Sequence, residues 1–78
     1  MDARKLVKMA NEIASFFASE PDPSARLAGV AGHLRRFWDP RMRRQLLSHV
    51  EERGGEGLSE LALAAIAKHA QELRPPPP

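Results

Sequence analysis

Cysteine is absent from the 78-residue chain, which excludes a disulfide framework, a thiolate metal site and a cysteine nucleophile. Tyrosine is absent too, and the aromatics amount to one tryptophan and three phenylalanines. The longest apolar run is the seven residues Leu61 to Ala67, far short of the ~20 that a membrane-spanning helix needs. No basic stretch leads into an apolar one at the start, so no secretory signal is expected, and the expected location is cytoplasmic. The period-two alternation of a half-buried strand is missing, and so is any internal repeat.

What is present fits one small globular unit. Apolar residues make up 42% and charged residues 28% of the chain, within the range of folded domains. At 8.7 kDa there is room for one domain, and folding buries roughly 60% of the unfolded surface. At that size the gain from burial nearly cancels the cost of ordering the chain. With disulfides excluded, a partner is an expected source of further stability.

Four helical segments are legible. The first spans about Asp2 to Ala18, with Leu6, Met9, Ala10, Ile13, Phe16 and Phe17 as its apolar stripe and Asp2 as N-cap. Pro21 and Pro23 end it, because each disfavours helical geometry in the residue before it. The second begins near Asp22 or Ser24, with Pro23 suited to the first helical position and Leu27, Val30, Ala31, Leu34, Phe37 and Trp38 as its stripe. Gly29 and Gly32 inside it mark either close approach of another helix or tolerated surface glycines. Asp39-Pro40 restarts the chain as N-cap and first residue of a third helix reaching about Arg53, with Gly54 suited to a left-handed stop. Ser59 caps a fourth, on which Leu58 and Leu63 pair as a hydrophobic staple, and which runs to Leu73 until Pro75 stops it. The expected fold is all-α, a small compact bundle of four helices arranged as two helical hairpins, over residues 1–74. A disordered, polyproline-type tail follows at 75–78.

Most candidate chemistry reads as ordinary surface. His33, His49 and His69 fall on three different helices with no companion ligand at metal spacing. Glu51 and Glu52 are adjacent, so they do not face each other on a helix. The serines show no nucleophile signature. The glycines from Gly54 to Gly57 have no strand before them and no Gly-Lys-Ser/Thr after, which argues against a phosphate cradle. No catalytic, metal or cofactor site is expected in this chain.

The charge distribution departs from that background. The net charge is +2, but five arginines against the single Asp39 make the stretch His33 to Arg44 locally +4, leaving −2 for the remainder. Arginine favours planar, bidentate pairing with carboxylate or phosphate, and Trp and Arg are enriched at protein-interface hot spots. Three readings are open on the residues alone. The patch docks on an acidic protein surface. Alternatively Arg41, Arg43, Arg44 and Gln45 open a recognition helix of a helix-turn-helix-like nucleic-acid binder, although the second helix is long for that motif. Or Phe37 and Trp38 are simply core and the arginines a solvated face. A stand-alone homo-oligomeric adaptor is a further possibility.

The string His33-Leu34-Arg35-Arg36-Phe37-Trp38-Asp39-Pro40-Arg41-Met42-Arg43-Arg44-Gln45-Leu46-Leu47 resembles the delta subunit of the cytoplasmic, NAD-dependent, molybdenum- or tungsten-containing formate dehydrogenases. Leu6 to Ile13 with Phe16-Phe17 upstream, and Gly54 to Ser59 downstream, extend the resemblance over about Leu6 to Leu73. The Phe-Trp-x-Pro-Arg-Met-Arg core is its most specific part, and the four-proline tail lies outside it. The resemblance implies a non-catalytic accessory subunit. In that family the alpha subunit carries a bis-molybdopterin guanine dinucleotide cofactor and iron–sulfur clusters, and the beta and gamma subunits carry FMN and further clusters. It implies direct association with the alpha subunit, contact with beta and gamma only through the complex, no membrane and no nucleic acid, and a role in assembly or stability of the holoenzyme. The expected partner interface is Arg36, Phe37, Trp38, Arg41, Arg43 and Arg44. Within it Pro40 fixes Arg41, Arg43 and Arg44 as a rigid fork for carboxylates of the alpha subunit or, as a second option, for cofactor phosphates during insertion.

Overall fold

The four longer helices each start on the cap that the sequence advertises. In the computed structural model, which describes residues 2–77, α1 runs Ala3–Phe17, α2 Pro23–Phe37, α3 Pro40–Arg53, α4 Glu60–Lys68 and α5 Ala70–Leu73. Carboxylates of Asp2, Asp22 and Asp39 accept the backbone N–H groups of Arg4, Ser24 and Met42 at 3.0, 3.1 and 2.9 Å. The Ser59 hydroxyl accepts that of Ala62 at 3.2 Å. Each bond satisfies a donor that the helix itself leaves unpaired. Pro23 and Pro40 occupy the first helical position, where no N–H is required. Gly54, at φ 65°, ends α3 in the left-handed region.

The element boundaries agree with the sequence reading except at the last helix. The continuous segment expected from Ser59 to Leu73 is divided at His69, whose φ −108° and ψ 23° leave helical geometry. His69 Nδ1 lies 2.9 Å from a Glu72 carboxylate oxygen, and the bend brings Leu73 into the core at 1% exposure. Among the described residues the fold is therefore all-α, with four main helices and a fifth of a single turn.

The core is built from Leu6, Ala10, Ala14, Val30, Leu34, Trp38, Leu46, Leu47, Ala62, Ala65, Ile66 and Leu73. Alanines on α1 and α4 let backbones approach closely where those helices meet α2, while leucines from α2 and α3 fill the middle. α1 packs on α2, α3 and α4, and α5 closes the end between α2 and α3. Fully burying one such leucine contributes about 1.5–3 kcal/mol. No polar or charged residue is fully buried among the described residues.

The loop after α3 is clamped from two sides. Asn11 on α1 donates its Nδ2–H to Gly57 O at 3.0 Å and accepts the Ser59 N–H at 2.8 Å. His49 Nε2 lies 2.8 Å from Glu56 O. Gly55 has φ 76°, and a Cβ there would lie 2.6 Å from Leu63 Cδ1 and 3.3 Å from Leu58 Cδ1, so the staple leucines meet over a residue that has to be glycine. At the other end Pro75 is buried and, with Pro77, lines a shallow groove against Leu47, Ser48 and Glu51 of α3. Met1 and Pro78, the ends of the two ranges expected from the sequence, lie outside the described residues.

Candidate docking surface

Adjacent aromatic residues on one helix point about 100° apart, so one of each pair is forced out of a narrow core. That rule decides Phe16-Phe17; at Phe37-Trp38 the chain has already left α2, and the extended backbone of Trp38 (φ −90°, ψ 134°) separates the two rings. Trp38 is buried at 5% exposure, and Phe17 packs partly buried against the core. Phe16 and Phe37 stand in solvent at 78% and 70% exposure. The three phenylalanines and His33 form a chain of ring contacts. Phe16 meets Phe17 edge-on at 5.2 Å, Phe17 meets His33 at 6.5 Å, and His33 meets Phe37 at 4.7 Å with the rings tilted by 40°.

These rings border a groove of about 470 Å³ between α1, α2 and the start of α3, lined by Met9, Glu12, Ile13, Phe16, Phe17, His33, Phe37, Trp38 and Met42. Trp38 is its deeply buried floor and the two exposed phenylalanines are its projecting edges. Holding two phenylalanines in water forgoes about 1.5–3 kcal/mol each relative to burial. A contiguous apolar patch of this kind marks an interaction site more often than chance exposure.

The six interface residues expected from the sequence fall into two groups. Arg36, Phe37, Arg41 and Arg44 are exposed. Trp38 is core, and Arg43 is half-buried, donating Nη1–H to Leu73 O at 3.2 Å while its Nε has no hydrogen-bond partner. Arg35, outside the expected set, behaves like Arg43 and donates to Glu72 O at 3.1 Å. Both guanidiniums thus sit at the carbonyl end of α5, where a helix terminus favours positive charge. The rigid fork of Arg41, Arg43 and Arg44 is not formed. Arg43 lies about 200° around α3 from Arg41 and turns inward, whereas Arg41 and Arg44 make no hydrogen bond or ion pair among the described residues. Arg36 donates only to the carbonyl of Gly32 in its own helix, at 3.3 Å.

Sequence reasoning placed Phe16 in the buried stripe and assigned no interface role to Met9, Ile13, His33 or Met42. The signal was present in the doublet Phe16-Phe17, since a stripe holding both would have to be wider than the remainder of α1 requires. The other singled-out groups stay apart. His33 stacks between rings, His49 holds the glycine loop, His69 pairs with Glu72, and Glu51 meets Arg74 at 3.4 Å. No cluster of three or more His, Cys, Asp or Glu side chains converges among the described residues, and no helix there is long and apolar enough to cross a membrane.

Fold and surface together define a small all-helical module that presents an aromatic groove beside unpaired arginines. Within that class the chain belongs to the NADH-dependent formate dehydrogenase delta subunit family, FdsD, whose family model matches residues 5–66. The match covers α1 from its third residue, α2, α3, most of α4 and every residue lining the groove, and stops before α5. Neither the curated proteins nor the solved structures gave a significant match.

Proposed function

We propose that this chain is a non-catalytic subunit of a formate dehydrogenase complex, that it docks directly on the catalytic alpha subunit, and that it supports assembly or stability of the holoenzyme. Beta and gamma subunits are then reached only through the complex. The redox groups of such an enzyme (a molybdenum or tungsten bis-molybdopterin guanine dinucleotide, iron–sulfur clusters and FMN) belong to those partners. This chain contributes surface rather than chemistry. The observation that carries the reading is the pair of exposed phenylalanines, Phe16 and Phe37, edging a groove within the stretch matched by a subunit family.

The test is co-expression of the tagged chain with the other subunits. The unsubstituted chain is expected to retain the alpha subunit through purification. The variant carrying Phe16→Ser and Phe37→Ser is expected to keep its helical circular dichroism and lose that retention. Full retention by the folded double variant contradicts the surface assignment. Retention of the isolated chain on duplex DNA, weakening with salt at a log–log slope near −0.9 per phosphate contact, favours a nucleic-acid binder instead.

A further inference from the structure

The groove has a charged rim of one prevailing sign. Lys5 stands one turn before Met9 on α1, and Lys8 one turn before Glu12. Arg36 follows His33 by one turn on α2, and Arg41 precedes Met42 at the start of α3. All four cations are exposed. None is held by a carboxylate among the described residues, and Arg36 is engaged only by the main chain of Gly32. Against them stand two carboxylates, Glu12 in the groove wall and the exposed Asp39, which is occupied in capping the Met42 N–H at 2.9 Å.

The apolar length is short and helical in origin. From Met9 to Phe16 the α1 wall rises about 10 Å, two helical turns. The surface is concave, with Trp38 at its floor and a phenylalanine at each edge, so it receives an inserted ridge of side chains rather than a flat face. Among the described residues there is no strand whose edge could accept an extended peptide. A ridge of matching length is the apolar face of an amphipathic helix, with anchors at i, i+3 or i+4, and i+7.

From the groove and its cationic rim we infer that the occupant is a two-turn amphipathic helix of a partner subunit, with aliphatic or aromatic anchors in the groove and Asp or Glu flanking them opposite Lys5, Lys8, Arg36 and Arg41. This rests on the proposed subunit role and specifies the chemistry of what that role binds. A convex acidic lipid surface would satisfy the cations but leave the concave floor at Trp38 unfilled.

The experiment uses the assembled complex. A photo-crosslinking residue is introduced as Phe16→p-benzoylphenylalanine or Phe37→p-benzoylphenylalanine, the complex is irradiated, and the crosslinked peptides are mapped by mass spectrometry. The expected result is one partner segment, captured from both positions, with apolar residues at three-to-four spacing and a net negative charge. A second variant, Arg36→Glu with Arg41→Glu, is expected to lower the retained fraction of the chain at least about tenfold with its circular dichroism unchanged. Crosslinks to a second copy of this chain, to a basic or proline-rich segment, or to no protein while the chain still co-purifies, overturn the inference and leave the subunit role standing. Failure of the unsubstituted chain to co-purify with any dehydrogenase subunit removes that role itself, and the inference falls with it. Co-sedimentation of the purified chain with phosphatidylserine vesicles, abolished by the same glutamate substitutions, overturns it in favour of a membrane surface.

Discussion

Gly29 and Gly32 lie three residues apart in α2 and have opposite surroundings. A Cβ at Gly29 would come within 2.5 Å of Phe17 Cδ1, while one at Gly32 would meet only the Arg36 guanidinium at 3.6 Å. Alanine improves helix propensity by about 1 kcal/mol at either site, but overpacking costs about 1–3 kcal/mol. Phe17 is held between Phe16 and His33 and yields poorly. Gly29→Ala is therefore expected to destabilise the chain and Gly32→Ala to stabilise it by up to about 1 kcal/mol, read from urea unfolding. A shared sign contradicts the packing described. From the sequence both glycines look alike, because the ring that separates them arrives from another helix. Asp2 supplies a second prediction at this scale. The Arg4 backbone N–H, and after it the Arg4 side chain, hold the Asp2 carboxyl below its ordinary range. A group with a lowered folded pKa contributes above its unfolded pKa and loses that contribution as pH falls through the folded one. Acidification is expected to release the Arg4 amide, seen as a chemical-shift titration at the α1 start, and Asp2→Asn is expected to remove it.

Elements were legible wherever their ends are set by neighbours in sequence. The caps at Asp2, Asp22, Asp39 and Ser59, the prolines at positions 23 and 40 and the stop at Gly54 all act within three residues, so local chemistry decides them. The division at His69 was not legible, because it depends on where Leu73 buries and on which guanidiniums await the end of α5. The same distinction splits the arginine patch. Only tertiary contact reveals that Arg35 and Arg43 are spent on the carbonyls of Glu72 and Leu73 while Arg41 and Arg44 remain free. Arg43→Ala is expected to lower stability by about 1.5–3 kcal/mol, the range of a hydrogen bond to a charged group. Arg41→Ala with Arg44→Ala is expected to leave stability within about 0.5 kcal/mol and to weaken partner binding. Thermal unfolding beside co-purification separates the two. Equal loss of stability in both variants contradicts the assignment of Arg43 to the fold and of Arg41 and Arg44 to the surface.

As a whole the molecule is small, 36 × 24 × 18 Å, and exposes more than its mass requires. Its accessible surface is 5159 Å², against about 4,700 Å² for a monomer of this size. At this size the balance between burial and chain ordering is marginal, and a docked partner is the complement that the proposed function supplies. The candidate surface was half legible in advance. Phe37 and the free arginines stood out by type, whereas Phe16 and the groove walls needed the geometry of three helices. The most direct measurement is the yield and formate-oxidising activity of the dehydrogenase prepared with and without this chain, resolved by size-exclusion chromatography. The account predicts no turnover by the isolated chain, and a clear loss of assembled, active complex when it is omitted, restored by adding it back. Turnover by the chain alone, or undiminished assembly and activity in its absence, would contradict it.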